Sequence, residues 1–277
     1  MLKKIVPLLL LCTVCCVSQT FAGAWTQQSG SSYNRLTLNY YSADHNFDND
    51  GDRKEMSANG KFTDTNLNYY VEYGITDDLT VIGSAYYKQI KHDDDSIEIK
   101  TYGIGDVDLG LKYRLLNLPA GALAVQGLVK VPELYDENDT MPLGNGQYDY
   151  EMRLLFGQSL AYLFPGYFNV EFGYRWRAEE PSDEYRYLVE VGSDITAKTY
   201  LRVKLDGLIS ANNGDSAVYV SGNPTMTTEY DLLKLDVAFG YRIDDAWGWE
   251  AVYTPALSGE NTAVGATYAF ALTYKIK

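Results

Sequence analysis

Between Asp106 and Leu115 the chain reads DVDLGLKYRL. Val107, Leu109, Leu111, Tyr113 and Leu115 alternate without a break with Asp106, Asp108, Gly110, Lys112 and Arg114. Period-two alternation places successive side chains on opposite faces of a strand. A helix would put Asp106 beside Leu109 and Gly110 and scatter the apolar set. The pattern recurs in Leu67–Ile75, Val170–Trp176, Leu201–Leu205 and Leu233–Tyr241, and from Val264 to Ile276. Twelve such segments can be placed: 32–47, 61–75, 80–92, 101–117, 122–134, 148–162, 167–179, 184–195, 199–212, 229–243, 247–258 and 263–277. The polar faces of 80–92 and 122–134 are thinner than the rest, and no convincing helix lies between the segments.

The connections alternate in length. Short turns stand at Thr76–Asp78, Asn117–Gly121, Phe164–Gly166, Thr196–Lys198 and Asp244–Ala246. Longer links cover 48–60, 93–100, 135–147 and 213–228; those near 180–183 and 259–262 are shorter but polar. The long loops then emerge from one rim, and an even strand number brings both chain ends to the other. Short inner turns, long outer loops and strands with about 9–11 membrane-spanning residues define outer-membrane barrels. The fold expected is therefore all-β: an antiparallel up-and-down transmembrane β-barrel of about 12 strands. A soluble β-sandwich is the rival. Against it stand aromatics near the strand ends of the apolar faces (Trp176, Trp247, Trp249, Tyr268, Tyr274), where an interfacial girdle needs them. Whether the segment from Trp25 to Ser31 enters the barrel is left open by the pattern.

The N-terminus sharpens the location. Lys3 and Lys4 precede an apolar run from Ile5 to about Val17, and small residues follow around Ala22 and Ala24. Such a run is too short for a spanning helix, at about 20 residues, and reads as a secretory signal over 1–22, with cleavage possible to 24. The barrel would occupy 23–277. All three cysteines, Cys12, Cys15 and Cys16, fall in that leader, so thiol chemistry and Cys-ligated metals are excluded from the barrel.

Charge and composition narrow the function. The chain carries 23 Lys+Arg against 37 Asp+Glu, which demotes nucleic acid as a partner. Tyrosine is abundant, at 25 residues against nine Phe, and suits both strands and membrane boundaries. The mean hydropathy of -0.25 says nothing against a barrel, whose strands alternate.

The polar faces carry Glu72, Asp106, Asp108, Lys112, Arg114, Lys130, Glu151, Arg153, Glu171, Arg175, Arg177, Arg186, Glu190, Arg202, Lys204, Asp206, Lys234, Asp236 and Glu250. These are the expected lumen residues. Two compatible roles stay open: neutral acid–base packing of the interior, or a polar path whose charges select solutes. Acidic residues gather on the outer loops, at Asp44, Asp48, Asp50, Asp52 and Asp93–Asp95, then at Glu133, Asp136, Glu137, Asp139, Glu179, Glu180, Asp183 and Glu184. A negative rim would draw cations in.

Asn46–Gly51 matches the start of an EF-hand loop, but Ser57 stands where the bidentate Glu belongs, and strands flank it. Only weak divalent binding at Asp48, Asp50 and Asp52 is expected. No cofactor is expected. An outer-membrane hydrolase would need a positioned base. His45 and His92 are the only histidines; both fall near the outer rim beside an Asp, and neither has a nucleophile motif. The expectation is exposed loop histidines and no enzyme.

Gly23–Gln27 (GAWTQ), Val71–Ser84 (VEYGITDDLTVIGS), Pro142–Asp149 (PLGNGQYD) and Gly173–Gly192 resemble a proteobacterial outer-membrane family, the XagA-like group related to barrels of a phenol-degradation (MetA) pathway. The resemblance spans nearly the whole mature chain through hairpin ends and turns, so no functional residue carries over. It implies transport of small solutes, or a surface barrel linked to exopolysaccharide, biofilm and envelope assembly. It also implies outer-membrane lipids and lipopolysaccharide, small solutes and the barrel-assembly machinery as partners. The chain ends Tyr274-Lys275-Ile276-Lys277, without the terminal aromatic usual in such barrels, which weakens the expected assembly signal.

Overall fold

The computed structural model describes residues 23–179, 181–214, 218–220, 223–226 and 229–277; the expected signal over 1–22 lies outside them. Twelve long strands account for most of this chain: β1 Ser32–Phe47, β2 Lys61–Gly74, β3 Leu79–Asp93, β4 Glu98–Leu118, β5 Gly121–Val131, β6 Asp149–Ser159, β7 Gly166–Arg177, β8 Glu184–Asp194, β9 Thr199–Ser210, β10 Asp231–Arg242, β11 Trp247–Glu260 and β12 Thr262–Ile276. Each pairs antiparallel with its neighbours in sequence, and β12 returns to pair with β1 from Ser32↔Ile276 to Phe47↔Thr262. The sheet is closed, so no barrel edge is left for another chain to extend. The twelve expected segments match these strands closely. Three short strands (53–55, 218–220, 223–226) and a turn of 3-10 helix at Ser57–Asn59 decorate the long connections.

Which face looks out is decided by burial. Leu109 and Leu111 are each 54% exposed, whereas Lys112 beside them is 1% exposed. That inverts the ordinary distribution in a soluble protein. The alternation is therefore apolar outside and polar inside. Leu38, Tyr69, Phe172 and Tyr268 continue the apolar exterior around the wall, and Trp176 and Trp247 stand exposed near strand ends. Trp247 packs on Tyr274 at 4.4 Å between ring centroids, and Trp249 stacks between Tyr241 and Phe270.

Inward Tyr167 and Tyr200 and outward Tyr187 are each accommodated by a glycine. Tyr167 faces Gly192 across the β7–β8 ladder, Tyr187 faces Gly207 across β8–β9, and Tyr200 faces Gly240 across β9–β10. A Cβ at Gly192, Gly207 or Gly240 would lie 2.3, 2.1 or 2.0 Å from the opposing ring. Each ring lies flat over a bare stretch of backbone, which locks the strand register.

The short turns are held by their own side chains. In the β10–β11 turn, Asp244 Oδ1 accepts the backbone N–H groups of Ala246 and Trp247 at 2.8 and 2.7 Å. The bond from Trp247, then that from Ala246, lowers the Asp244 pKa. A lowered carboxylate pKa contributes stability above the unfolded value of about 3.9, lost as pH falls through the folded value. Asp244→Asn should therefore narrow its gap to the wild type as pH falls below about 4, read by urea unfolding in detergent at successive pH. A gap that widens on acidification would contradict the turn's role.

Candidate functional site

The inward side chains form several clusters of ion pairs. Lys112 and Glu72 meet at 3.0 Å with both side chains almost wholly buried. Lys130 joins Asp106 and Asp149 at 3.5 and 3.1 Å. Arg153 pairs with Glu151 and, at 2.9 Å, with Glu171; Arg175 reaches Glu151 at 2.8 Å and Asp149 at 3.5 Å. Glu184 lies between Arg177 and Arg186. Arg202 sits among Glu190, Glu250 and Asp236 at 3.5, 3.3 and 3.8 Å. Lys204–Asp236 and Lys234–Asp206 are the loosest pairs, at 3.9 and 4.0 Å. Asp108 faces inward with no ion-pair partner among the described residues. Arg114 lies lower, at the short-turn rim, where it grips Asp78 at 2.6 Å.

Several members escaped the sequence reading. Arg35 reaches Glu250 at 2.9 Å, Lys88 reaches Asp64 at 3.0 Å, and Arg242 reaches Asp194 at 2.6 Å. Arg35 was within reach of parity, because Leu36, Leu38 and Tyr40 fix the outer face of β1. Asp64 gives no such signal, since the start of β2 is polar on both faces. Glu184, expected on the acidic rim, is instead buried between two arginines.

Breaking a buried pair by removing one partner typically costs about 3–5 kcal/mol, because the other charge is stranded. Lys112→Met should lower stability by about that amount. Adding Glu72→Gln should restore most of it, read by urea unfolding in lipid vesicles. If the double variant is no better than the single one, the pair is not the cause.

The lumen is stoppered from the short-turn end. Residues 23–31 run inside the wall before β1 begins. Trp25 is buried against Ala122, Ala124 and Leu155 and meets the Tyr167 ring edge-on at 5.8 Å. A Cβ at Gly157 would lie 2.7 Å from the Trp25 ring, so a bare backbone makes room for the indole. Polar contacts flank it. Lys112 Nζ donates to Gly23 O at 3.0 Å, and Ala24 N–H donates to Asn169 Oδ1 at 3.2 Å. Gln27 donates its N–H to Thr80 Oγ1 and its amide to Glu72, both at 2.8 Å. Gly30 N–H donates to Gly74 O, and Gly74 N–H donates to Ser31 O. The barrel's own ion pair, Lys112–Glu72, thus holds the stopper at two points. This answers the question the sequence left open.

The other end is covered by the β5–β6 connection, 132–148. Met141 and Leu143 are buried against Ile90, with Phe62, Ile99 and Tyr135 around them. Tyr135 donates its hydroxyl to Asp106 at 2.7 Å and accepts the Gly146 N–H at 2.9 Å. Burial first, and the bond to Asp106 second, push the Tyr135 pKa up, so it remains a neutral donor. Lys130 holds Asn145, and Lys88 reaches Leu143 O at 3.5 Å. Glu133, Asp136, Glu137 and Asp139 on the same connection stay exposed.

The histidines need a correction. His92 is not an exposed loop residue; it is fully buried at the outer-rim end of β3, with Nε2 3.1 Å from Asp94. Its place on the inward face, two residues from Ile90, puts it under the outer cover. His45 does stand near the surface, 2.6 Å from Asp44. In the first long loop Asp48 Oδ1 accepts the N–H groups of Asp50 and Asp52, and the Lys54 ammonium lies 3.6 and 3.4 Å from Asp48 and Asp52. These carboxylates are engaged within their own turn.

A closed twelve-stranded antiparallel barrel, apolar outside and ionic within, defines the class of outer-membrane β-barrels. Solved structures agree on the fold. The COG4313 outer membrane channel from Pseudomonas putida F1 superposes with a TM-score of 0.75 at 14% identity, covering 91% of this chain and 98% of that one. The NanC porin gives 0.55 at 12% identity over 88% and 100%. The translocator domain of the autotransporter NalP from Neisseria meningitidis gives 0.53 at 12% identity over 90% of each chain. No family model and no curated protein matches the sequence. The shared property is the barrel; the XagA-like grouping remains a resemblance of turn motifs.

Proposed function

We propose that this chain is an outer-membrane channel for small hydrophilic solutes, closed in the state described here by its own residues 23–31. The observation that carries the reading is the stopper. A wall built only for structure could fill its lumen with side chains alone, as small barrels do. Here a separate segment occupies the lumen, resting on bare or small wall residues at Gly157, Ala122 and Ala124. The similar fold of proteins titled an outer membrane channel and a porin supports the same reading.

In this reading the leader 1–22 directs export. The apolar exterior sits among outer-membrane lipids, with lipopolysaccharide at the acidic outer loops, and the barrel-assembly machinery inserts it. The paired charges of the lumen set selectivity, because each pair presents both signs to a passing solute. The test is reconstitution of the purified protein in planar lipid bilayers and in liposomes. Stepwise currents and solute-dependent swelling are expected. Silence in both assays, at either polarity and with the stopper deleted, would refute the channel.

A further inference from the structure

A cavity of about 440 Å³ opens at the short-turn end, between β9 and β12, with Tyr167 standing between it and Trp25. That is within the range of about 300–1,000 Å³ typical of small-molecule sites. Its inward wall is aromatic: Tyr33, Tyr167 and Tyr200 line it. Five cationic side chains also line it, namely Lys198, Arg202, Arg242, Lys275 and Lys277.

Two of the three carboxylates that line the cavity are already engaged. Glu250 is held by Arg35 at 2.9 Å, by Arg202 at 3.3 Å and by the Tyr200 hydroxyl at 2.8 Å. Asp244 spends Oδ1 on two backbone N–H groups of its own turn, and Asp245 is exposed in that turn. Arg202 likewise spends both terminal nitrogens, Nη1 and Nη2, on three carboxylates, though its Nε is buried without a partner.

Arg242 differs. Its Nη2 clamps Asp194 at 2.6 Å, and its guanidinium lies 4.8 Å from the centre of the Tyr200 ring. Its Nη1 is buried with no hydrogen-bond partner. A buried donor with no protein acceptor favours a state in which an acceptor arrives. Guanidinium groups prefer carboxylates as planar acceptors, and the tyrosine faces offer an apolar wall for the body of such a ligand.

We propose that this cavity binds a small organic carboxylate, the head group taken by Arg242 Nη1 and the Lys275 ammonium, the ring or apolar body lying against Tyr33, Tyr167 and Tyr200. The inference rests on the channel reading for its use, as a solute site at the inner mouth, but not for its test. Calorimetry on the full chain in detergent, with benzoate as the probe, measures binding without transport. Benzoate should bind at least tenfold more tightly than acetate, which lacks the ring, and than benzyl alcohol, which lacks the charge.

Arg242→Gln and Lys275→Gln should each weaken benzoate by about tenfold or more, the loss expected of a charge-assisted bond. Arg242→Gln also frees Asp194, so Lys275→Gln guards against a folding artefact. Equal heats for benzoate and benzyl alcohol would overturn the site. So would unchanged affinity in a folded Lys275→Gln barrel. A barrel that binds benzoate and never conducts keeps the site and loses the channel. One that conducts and gives no benzoate heat does the reverse.

Discussion

Removing residues 23–30, with Ser31 and β1 intact, should raise the single-channel conductance severalfold and abolish most closures. The segment lies inside the lumen at the level of Trp25, and the contacts that hold it belong to the wall rather than to a second domain. The single substitution Trp25→Ala tests the same point more finely. Truncating a buried Trp typically costs about 3–5 kcal/mol. If that loss falls on the docked state alone, the docking equilibrium shifts by a factor of about a hundred or more. The expected record is a barrel that flickers open, with an open level matching that of the deletion. The wall should remain stable, because Ala122, Ala124 and Leu155 sit on strands paired along their full length. An unchanged conductance in the deletion would mean that the outer cover at 132–148 alone sets the resistance.

Gly240→Val should be the most damaging single change in the wall. The added Cβ would lie 2.0 Å from Tyr200 Cζ, and that ring cannot simply swing away. Its hydroxyl is bonded to Glu250 at 2.8 Å, and Arg242 is stacked on its face. Overpacking alone costs about 1–3 kcal/mol. Losing the buried hydrogen bond to Glu250 adds about 1–3 kcal/mol. Gly127→Ala is the control, because nothing lies within 4 Å of a Cβ there. It should be neutral or stabilise slightly, since Ala loses less backbone freedom than Gly on folding. Urea-driven unfolding in vesicles compares the two. Equal effects would show that the Tyr–Gly contact does not lock the register.

The strand plan was legible because one physical rule governs every residue of a barrel wall: outward side chains meet an apolar medium and inward ones a polar interior. Val107 to Leu115 shows that rule without interruption. The two segments that obeyed it least are the informative ones. The polar face of β5 is thin because Ala122 and Ala124 look not at water but at Trp25. That of β3 is thin because Ile90 supports Met141 and Leu143 of the outer cover. Each departure marks a place where another piece of chain enters the lumen. A single strand cannot reveal which piece, since Trp25 lies far from Ala122 in sequence.

The buried His92 escaped for the same reason. Its neighbours Asp93–Asp95 read as loop, and the cover that hides it begins some forty residues later. Inward ion-pair partners were predictable in kind but not in pairing. Alternation gives a face, whereas Arg35–Glu250 joins β1 to β11 over the intervening β12.

The tether of the stopper has a kinetic meaning. Gly30 and Ser31 bond to Gly74 at the lip of β2, so the segment hangs from the wall by its last residues and never diffuses away. A short flexible link of this kind holds its cargo at an effective concentration on the order of millimolar. A free peptide of sequence 23–30, offered to the shortened barrel, would have to reach that level to match the built-in copy. Reclosure is therefore unimolecular, independent of how many copies populate the membrane, and no soluble competitor at micromolar strength displaces it.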